Sequence, residues 1–239
     1  MGTEVKESDK ILRDHGIILL SGEIDDIMAE RVCQNIIGFN LRGDVSQIHL
    51  VINSPGGLCP AGFAIIDMME WSRVPVHTSG IGMVGSMALM VFMAGTKGRR
   101  VISSKTSILS HRYSSTSKGN HSQLLASRRE QDLEHERIVE HYLSHSCVKC
   151  REVLEQYLLR DVDTWLSPEE AIQFGLADQI DLNRLIDVGS NDTQIFPLVG
   201  RREHDRRRPQ GICPEERHPK VQPVLEPSRV SAEHDETDR

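Results

Sequence analysis

The sequence predicts an α/β fold in which short apolar strands alternate with helices. Apolar runs at residues 17–21 and 48–52, and a third strand-like segment at 76–81, are short, and glycine or proline follows each of them closely, as is typical of buried strands. Between these runs, residues 25–41 and 61–72 carry apolar side chains at helical spacing. Strands that alternate with helices of this length favour crossover connections.

The alternation continues toward the C-terminus. The third strand leads through a glycine-rich turn into an apolar helix at residues 86–94. Two more short strands are expected at residues 101–102 and 108–109. A long charged helix is then expected from about residue 122 to 143. The α/β pattern therefore covers most of the chain.

The last predicted helix begins in a Ser-Pro-Glu-Glu run. Ser167 can cap the amide three residues on, Pro168 suits the first helical position, and Glu170 can reach back to the cap. Gly175 suits the end of the helix. This start places Asp163 in the turn and strand just before the helix.

Composition divides the chain into three parts. Residues 1–10 form a short polar N-terminal segment, and residues 11–190 form the α/β domain. Residues 191–239 are predicted to be a disordered tail, because residues 201–239 hold five prolines, nine basic and nine acidic residues and few large apolar ones. A chain of 239 residues is long enough for one domain with a core and such a tail.

Charge and hydropathy exclude several classes of function. The net charge of −7 gives no electrostatic support to nucleic-acid binding. The longest apolar stretch, residues 83–94, is too short to cross a bilayer, which needs about 20 residues. Residues 1–10 lack the apolar core of a secretory signal. We therefore expect a cytoplasmic protein with no membrane or nucleic-acid partner.

The five cysteines are a poor disulfide framework, because their number is odd and their spacing irregular. Cys147 and Cys150 form a C-x-x-C run just after His141 and His145. Zinc sites usually need four ligands, and only Cys213 and His218 in the tail could complete such a set. Thiols at a helix–helix junction are the favoured interpretation, and no metal is expected.

Ser86 is the first candidate for chemistry. It follows Gly82 and Gly85 at the end of a strand and opens an apolar helix, where developing negative charge is favoured. The G-x-S-x-G elbow of α/β-hydrolases is not met, since Val84 and Ala88 occupy the glycine positions. Spacing alone leaves a helix-capping serine equally open.

Three further features could complete a site around Ser86. Paired Gly56 and Gly57 follow a strand and could aim backbone amides at an oxyanion, although a simple turn is the alternative. His111 ends a short apolar strand, and Asp163 precedes the last helix. The chain has 11 histidines, so composition cannot choose among them.

Four runs of residues carry a resemblance to a known family. In order along the chain, they are INSPGG at 52–57, GSM at 85–87, ILSH at 108–111 and DTWLSPEEA at 163–171. These runs resemble the proteolytic subunits of the Clp protease, in the order and at the spacing of that family. The likeness covers roughly residues 10–185.

The resemblance implies a crotonase-like spiral of ββα units with a protruding helix-strand handle, and a serine peptidase without cofactor or metal. It implies that Ser86 is the nucleophile, His111 the general base and Asp163 the residue that orients the base. It implies an oxyanion hole made by the backbone amides of Gly57 and Met87. It also implies heptameric rings stacked in pairs, built from this chain or a paralogue, and an ATP-dependent Clp-family unfoldase that feeds unfolded polypeptides to the chamber.

The sequence departs from the family at four places. Residues 1–10 are shorter than the family's entrance segment, so gating and unfoldase docking are expected to differ. Residues 112–116, RYSST, stand where the family has Gln-Pro and paired glycines, which predicts a different substrate edge. Val162 stands where many members have an arginine, and this predicts weaker coupling between rings. The tail after about residue 190 has no counterpart.

Two other classes of protein remain open. A crotonase enzyme acting on acyl-CoA would share the spiral and the paired amides, because fold alone does not decide function. It would not need Ser86, His111 and Asp163 together. A non-catalytic ring subunit in a mixed complex would lose members of that set, and this chain keeps all three.

Overall fold

A computed structural model describes residues 7–181. Seven helices and seven strands alternate through this part of the chain. The strands are β1 Ile17–Ser21, β2 Ile48–Ser54, β3 Val76–Gly85, β4 Arg100–Ile102, β5 Ser107–Ser110, β6 Thr164–Leu166 and β7 Gln179–Ile180. The helices are α1 Glu7–Asp14, α2 Asp26–Arg42, α3 Cys59–Trp71, α4 Met87–Met93, α5 His121–His145, α6 Arg151–Tyr157 and α7 Pro168–Gln173.

The sheet is mostly parallel, which confirms the α/β prediction and its crossovers. Its strand order is β1-β2-β3-β4-β7, with every neighbouring pair parallel. The ten-residue strand β3 pairs with β4 through Thr78–Gly80 and with β5 through Met83–Gly85. Strand β6 then runs antiparallel to β5. The architecture is consistent with a crotonase-like spiral.

The glycine-rich segment after the third strand differs from the prediction. We expected a strand at residues 76–81 followed by a turn, whereas β3 continues through the glycines to Gly85. The physical reason is a partner from later in the chain, because residues 83–85 pair with residues 107–109 of β5. Local turn propensity cannot reveal that partner.

Helix α4 lies at the centre of the core. All seven of its side chains are buried, and it contacts both α3 and β2 within one hydrophobic core. The largest fully buried side chains of the domain are Tyr142, Phe39, Phe92, Phe174, Leu20, Ile24, Ile36, Ile48, Leu50, Ile52, Ile65 and Met87. A helix enclosed on all sides fixes the chain on either side of it.

The predicted helix starts are formed by side-chain caps. Ser167 and Glu170 make the expected reciprocal capping box of α7, with Pro168 in the first turn. The long helix α5 begins with a second capping box, from Asn120 and Gln123. Its first half is largely exposed, as expected of a handle. The strand part of the handle is not formed, because residues 111–120 have no neighbouring strand in the described chain.

Several predictions concern residues near or beyond the described range. Helix α1 spans residue 10, where the sequence suggested the end of the N-terminal segment. The expected tail at residues 191–239, with Cys213 and His218, lies outside the described residues. Of the helices that the structure describes, none combines the length and apolar character needed to cross a membrane.

Candidate active site

Ser86 lies at the junction between β3 and α4 in a strained backbone conformation. Its φ is 52° and its ψ is −124°, and it is the only non-glycine residue between 7 and 181 with a positive φ. Its N–H donates to the carbonyl of Leu109 in β5, at 2.8 Å. Strain of this kind costs about 1–3 kcal/mol and is concentrated at functional sites. The surrounding sheet and α4 hold the serine at this turn.

His111 follows β5 and contacts Ser86 directly. The distance from His111 Nε2 to Ser86 Oγ is 2.8 Å. The two residues come together because β3 and β5 are parallel and paired up to Gly85 and Leu109, so the chain leaves both strands at the same edge. The sequence-predicted nucleophile and base therefore form a hydrogen-bonded pair.

Asp163 is not in contact with His111. It is exposed, and it makes no hydrogen bond or ion pair within residues 7–181. The paired register of β5 and β6 ends at Ser110 and Thr164, so His111 and Asp163 are the next residue on each strand. His111 Nδ1 instead lies 2.6 Å from the carbonyl oxygen of Arg112.

The paired glycines lie against the serine turn. A Cβ on Gly56 would be 2.7 Å from Ser86 Cβ and 2.9 Å from the backbone nitrogen of Met87. The N–H of Ile24 donates to the carbonyl of Gly56, and the carbonyl of Ile24 accepts from the N–H of Leu58. The N–H of Gly57 takes part in neither of these two hydrogen bonds. A side chain on Gly57 would collide with the backbone of Ile24. The backbone of Gly56 thus approaches the serine turn closely, and Gly57 is the next residue along the chain, with its N–H outside the bonds to Ile24.

A small pocket of about 40 Å³ opens beside Ser86. Its residues outside the predicted set come from α3, α4, α5 and the segment after His111, and they are Cys59, Met90, Tyr113, Ser114, Ile138 and Tyr142. Tyr113 and Ser114 belong to the predicted substrate edge at residues 112–116, whereas sequence reasoning missed the other four. The one available signal was the spacing of Ile138 and Tyr142, four residues apart on the same buried face of α5.

The Cys59 thiol and the hydroxyls of Tyr113 and Tyr142 in this pocket are held neutral. Burial, with the nearby charge of Glu134, raises the pKa of Cys59 to about 11. Burial raises the pKa of Tyr142 to about 12, and its hydroxyl bonds to Ser110 Oγ at 2.8 Å. Burial and a hydrogen bond to Glu134 also raise the pKa of Tyr113. These shifts leave the Ser86 hydroxyl as the group in the pocket with a base beside it.

The histidines near the C-x-x-C run have structural contacts. His141 Nε2 donates to the carbonyl of Met90 at 2.9 Å, and its ring stacks on His145 with centroids 4.1 Å apart. Burial, and secondarily the His145 charge, lower the pKa of His141 to about 4. Among residues 7–181, no three His, Cys, Asp or Glu side chains are grouped so that they could hold a metal ion.

Comparisons with known proteins identify a family that this chain is similar to. Residues 2–184 match the family model described as Clp protease. The chain is also similar to a protein of Deinococcus radiodurans described as an ATP-dependent Clp protease proteolytic subunit. The two are 32% identical over 173 residues, which is 72% of this chain and 82% of that protein.

Proposed function

The chain belongs to the Clp protease family, and from this premise we propose that it is a serine endopeptidase whose nucleophile is Ser86. The observation that carries the proposal is the 2.8 Å hydrogen bond between Ser86 Oγ and His111 Nε2. A serine hydroxyl is a weak nucleophile until a base removes its proton, and this contact supplies the base. The contact also favours a catalytic subunit over a purely structural one.

The proposed reaction is acyl transfer in two steps. Ser86 Oγ attacks the peptide carbonyl while its proton passes to His111 Nε2, and His111 then gives that proton to the leaving amine. Water, deprotonated by the same nitrogen, releases the acyl group from Ser86. The amides of Gly57 and Met87 are the proposed donors to the tetrahedral oxyanion, and losing one such donor typically costs about 10²–10³ in rate. No cofactor enters this scheme.

Asp163 is the proposed partner of the His111 imidazolium. The strand register supports this role, because β5 and β6 are antiparallel, so His111 after Ser110 lies opposite Asp163 before Thr164. A carboxylate stabilises an imidazolium more strongly than a neutral acceptor can. We therefore expect Asp163→Asn to lower kcat by as much as about 10⁴-fold, the loss that this change causes in a serine-protease triad.

The proposed setting is a chamber formed by heptameric rings of this chain or a paralogue. An ATP-dependent Clp-family unfoldase would deliver unfolded polypeptides, since the Deinococcus relative is described as the subunit of an ATP-dependent protease. Exposed apolar side chains support contact between subunits, among them Ile27 and Leu41 on α2, which are 77% and 80% exposed, and Trp71 at the end of α3. A cytoplasmic location remains a prediction.

Labelling with a fluorophosphonate, followed by peptide mapping, tests the proposal. We expect modification at Ser86 that is lost in Ser86→Ala and in His111→Ala. The matched controls are Ser122→Ala and His121→Ala, which remove exposed residues of α5 and should leave labelling unchanged. Ser86→Ala and His111→Ala should also lose the ability to hydrolyse a fluorogenic peptide.

The result that would refute the proposal is peptide hydrolysis that persists in Ser86→Ala, or label that lies elsewhere. Hydrolysis of an acyl-CoA thioester in place of the peptide would favour the crotonase alternative. An assembled ring with no Ser86-dependent turnover would favour a structural subunit.

A further inference from the structure

We propose that Arg112 is a positioning residue for this reaction: its main-chain carbonyl sets the tautomer of His111, and its side chain holds that carbonyl in place. The inference rests on the proposed role of His111 as the base. It concerns a residue that the resemblance does not assign and that stands in the segment where this chain departs from the family pattern.

The hydrogen bonds of His111 define which ring nitrogen carries the proton. Nδ1 lies 2.6 Å from the carbonyl oxygen of Arg112, and a carbonyl oxygen can only accept. Nδ1 must therefore carry the hydrogen. Nε2 of the neutral ring is then bare and accepts from the Ser86 hydroxyl at 2.8 Å. This is the tautomer that a general base needs.

Three contacts hold Arg112 against the loop that follows α6. Its N–H donates to the carbonyl of Arg160 at 3.1 Å, and its Nη1 pairs with Asp161 Oδ1 at 3.0 Å. Its Nε donates to the carbonyl of Leu159 at 3.4 Å. A residue bound through both its main chain and its side chain has little freedom to turn its own carbonyl. The orientation of the Arg112 carbonyl therefore depends on residues 159–161.

The same loop leads directly to Asp163. Asp161 binds Arg112 two residues before Asp163, so this contact links the position of the loop to the position of the base. In the described chain the Arg112 carbonyl occupies the Nδ1 side of His111, and Asp163 faces solvent. Arg112 thus supplies the orienting contact in the free protein, where His111 is not yet an imidazolium that the Asp163 carboxylate could stabilise.

The pocket that holds His111 has charged neighbours in Glu134 and Arg137, which act on the pKa of Cys59 in opposite directions. Ser86, Cys59, Tyr113 and Tyr142 share its pocket, and burial raises the pKa of the Cys59 thiol to about 11 and that of the Tyr142 hydroxyl to about 12. Asp161 is the charged partner of Arg112. The Arg112 and Asp161 side chains are 41% and 83% exposed, so their ion pair adds little stability and its loss should leave the fold intact.

The experiment compares Arg112→Ala, Arg112→Lys and Asp161→Asn with Arg128→Ala. Arg128 is the matched control, because it also makes an exposed 3.0 Å ion pair, with Asp132 on α5. The first readout is the ¹⁵N NMR spectrum of the His111 ring, assigned with His111→Gln. The second is the rate at which a fluorophosphonate labels Ser86.

We expect wild type, Arg112→Lys and Arg128→Ala to show His111 protonated at Nδ1 and to be labelled at rates within twofold of one another. Arg112→Ala and Asp161→Asn should show a mixture of tautomers. Their labelling should be about three- to fivefold slower, the most that coupling through an exposed ion pair allows. The double variant should be no worse than either single one.

An unchanged tautomer in Arg112→Ala and Asp161→Asn would overturn the inference, as would labelling faster than wild type. The tautomer measurement needs no turnover. Its failure is therefore distinct from the failure of the proposed function, which would appear as peptide hydrolysis that does not depend on Ser86.

Discussion

Replacing Gly56 by alanine is the sharpest test of how closely the glycine turn approaches the serine. The backbone of Gly56 has a φ of +105°, and a Cβ there would lie 2.7 Å from Ser86 Cβ. Ordinary van der Waals contact begins at 3.4 Å, so Ser86 or the turn must move by about 0.7 Å. A misplacement of about 1 Å can cost 10²-fold in rate, and we expect kcat/KM to fall by about 10- to 100-fold.

Gly22→Ala separates this effect from backbone strain. Gly22 also has a positive φ, +94°, but a Cβ there would have no neighbour within 4 Å. Both variants should lose about 1–3 kcal/mol of unfolding free energy, because alanine is unfavourable at these angles. Only Gly56→Ala should slow fluorophosphonate labelling of Ser86 under conditions where circular dichroism shows it folded. Equal labelling rates in the two variants would refute the reasoning.

Three further predictions concern stability, measured by urea unfolding. His141 is buried and neutral, and its pKa is lowered to about 4. As the pH falls below about 6.5, the unfolded chain therefore binds a proton that the folded chain excludes. Between pH 7.5 and 5 we expect the free energy of unfolding to fall by about 2 kcal/mol, and we expect no such loss in His141→Gln. If the free energy of unfolding changes equally with pH in wild type and His141→Gln, this prediction is wrong. The Arg100 side chain is 4% exposed and pairs with Asp178. Burial acts to raise the pKa of Asp178, but the hydrogen bonds and charge of Arg100 outweigh it, so the pKa is lowered. Arg100→Ala removes the charged partner of this largely buried carboxylate and leaves it two backbone N–H donors, and we expect a cost of about 3 kcal/mol. A cost below about 1 kcal/mol would contradict this. Ser167→Ala removes one half of the α7 capping box and should cost about 1 kcal/mol, whereas a neutral effect would mean that the cap is dispensable.

The elements that could be predicted are those whose signals are local. Helix α7 was predicted residue by residue, because the Ser167 cap, Pro168 and Glu170 act within one turn. The apolar spacing of α2 was similarly sufficient. The length of β3 was not predictable, since its second half forms only by pairing with β5, more than twenty residues away.

Some residues of the candidate site could likewise be predicted from the sequence, and others could not. Ser86 and His111 were found in the sequence through short motifs, and the structure brings them into contact. The pocket residue Cys59 carries no pattern that separates it from an ordinary core residue. The contacts of Arg112 with residues 159–161 are long-range and polar, so no local pattern in the sequence predicts them.

The elements that carry each residue explain why the nucleophile and base are assembled and Asp163 is not. Ser86 is held between β3 and the buried helix α4, and its N–H bonds to Leu109 in the strand that carries His111. The relative position of Ser86 and His111 is therefore set by the sheet, whose distortion would break backbone hydrogen bonds. Asp163 lies just before the first paired residue of β6 and is exposed. Changes in residues 159–163 should consequently alter the orientation of the base and leave Ser86 in place.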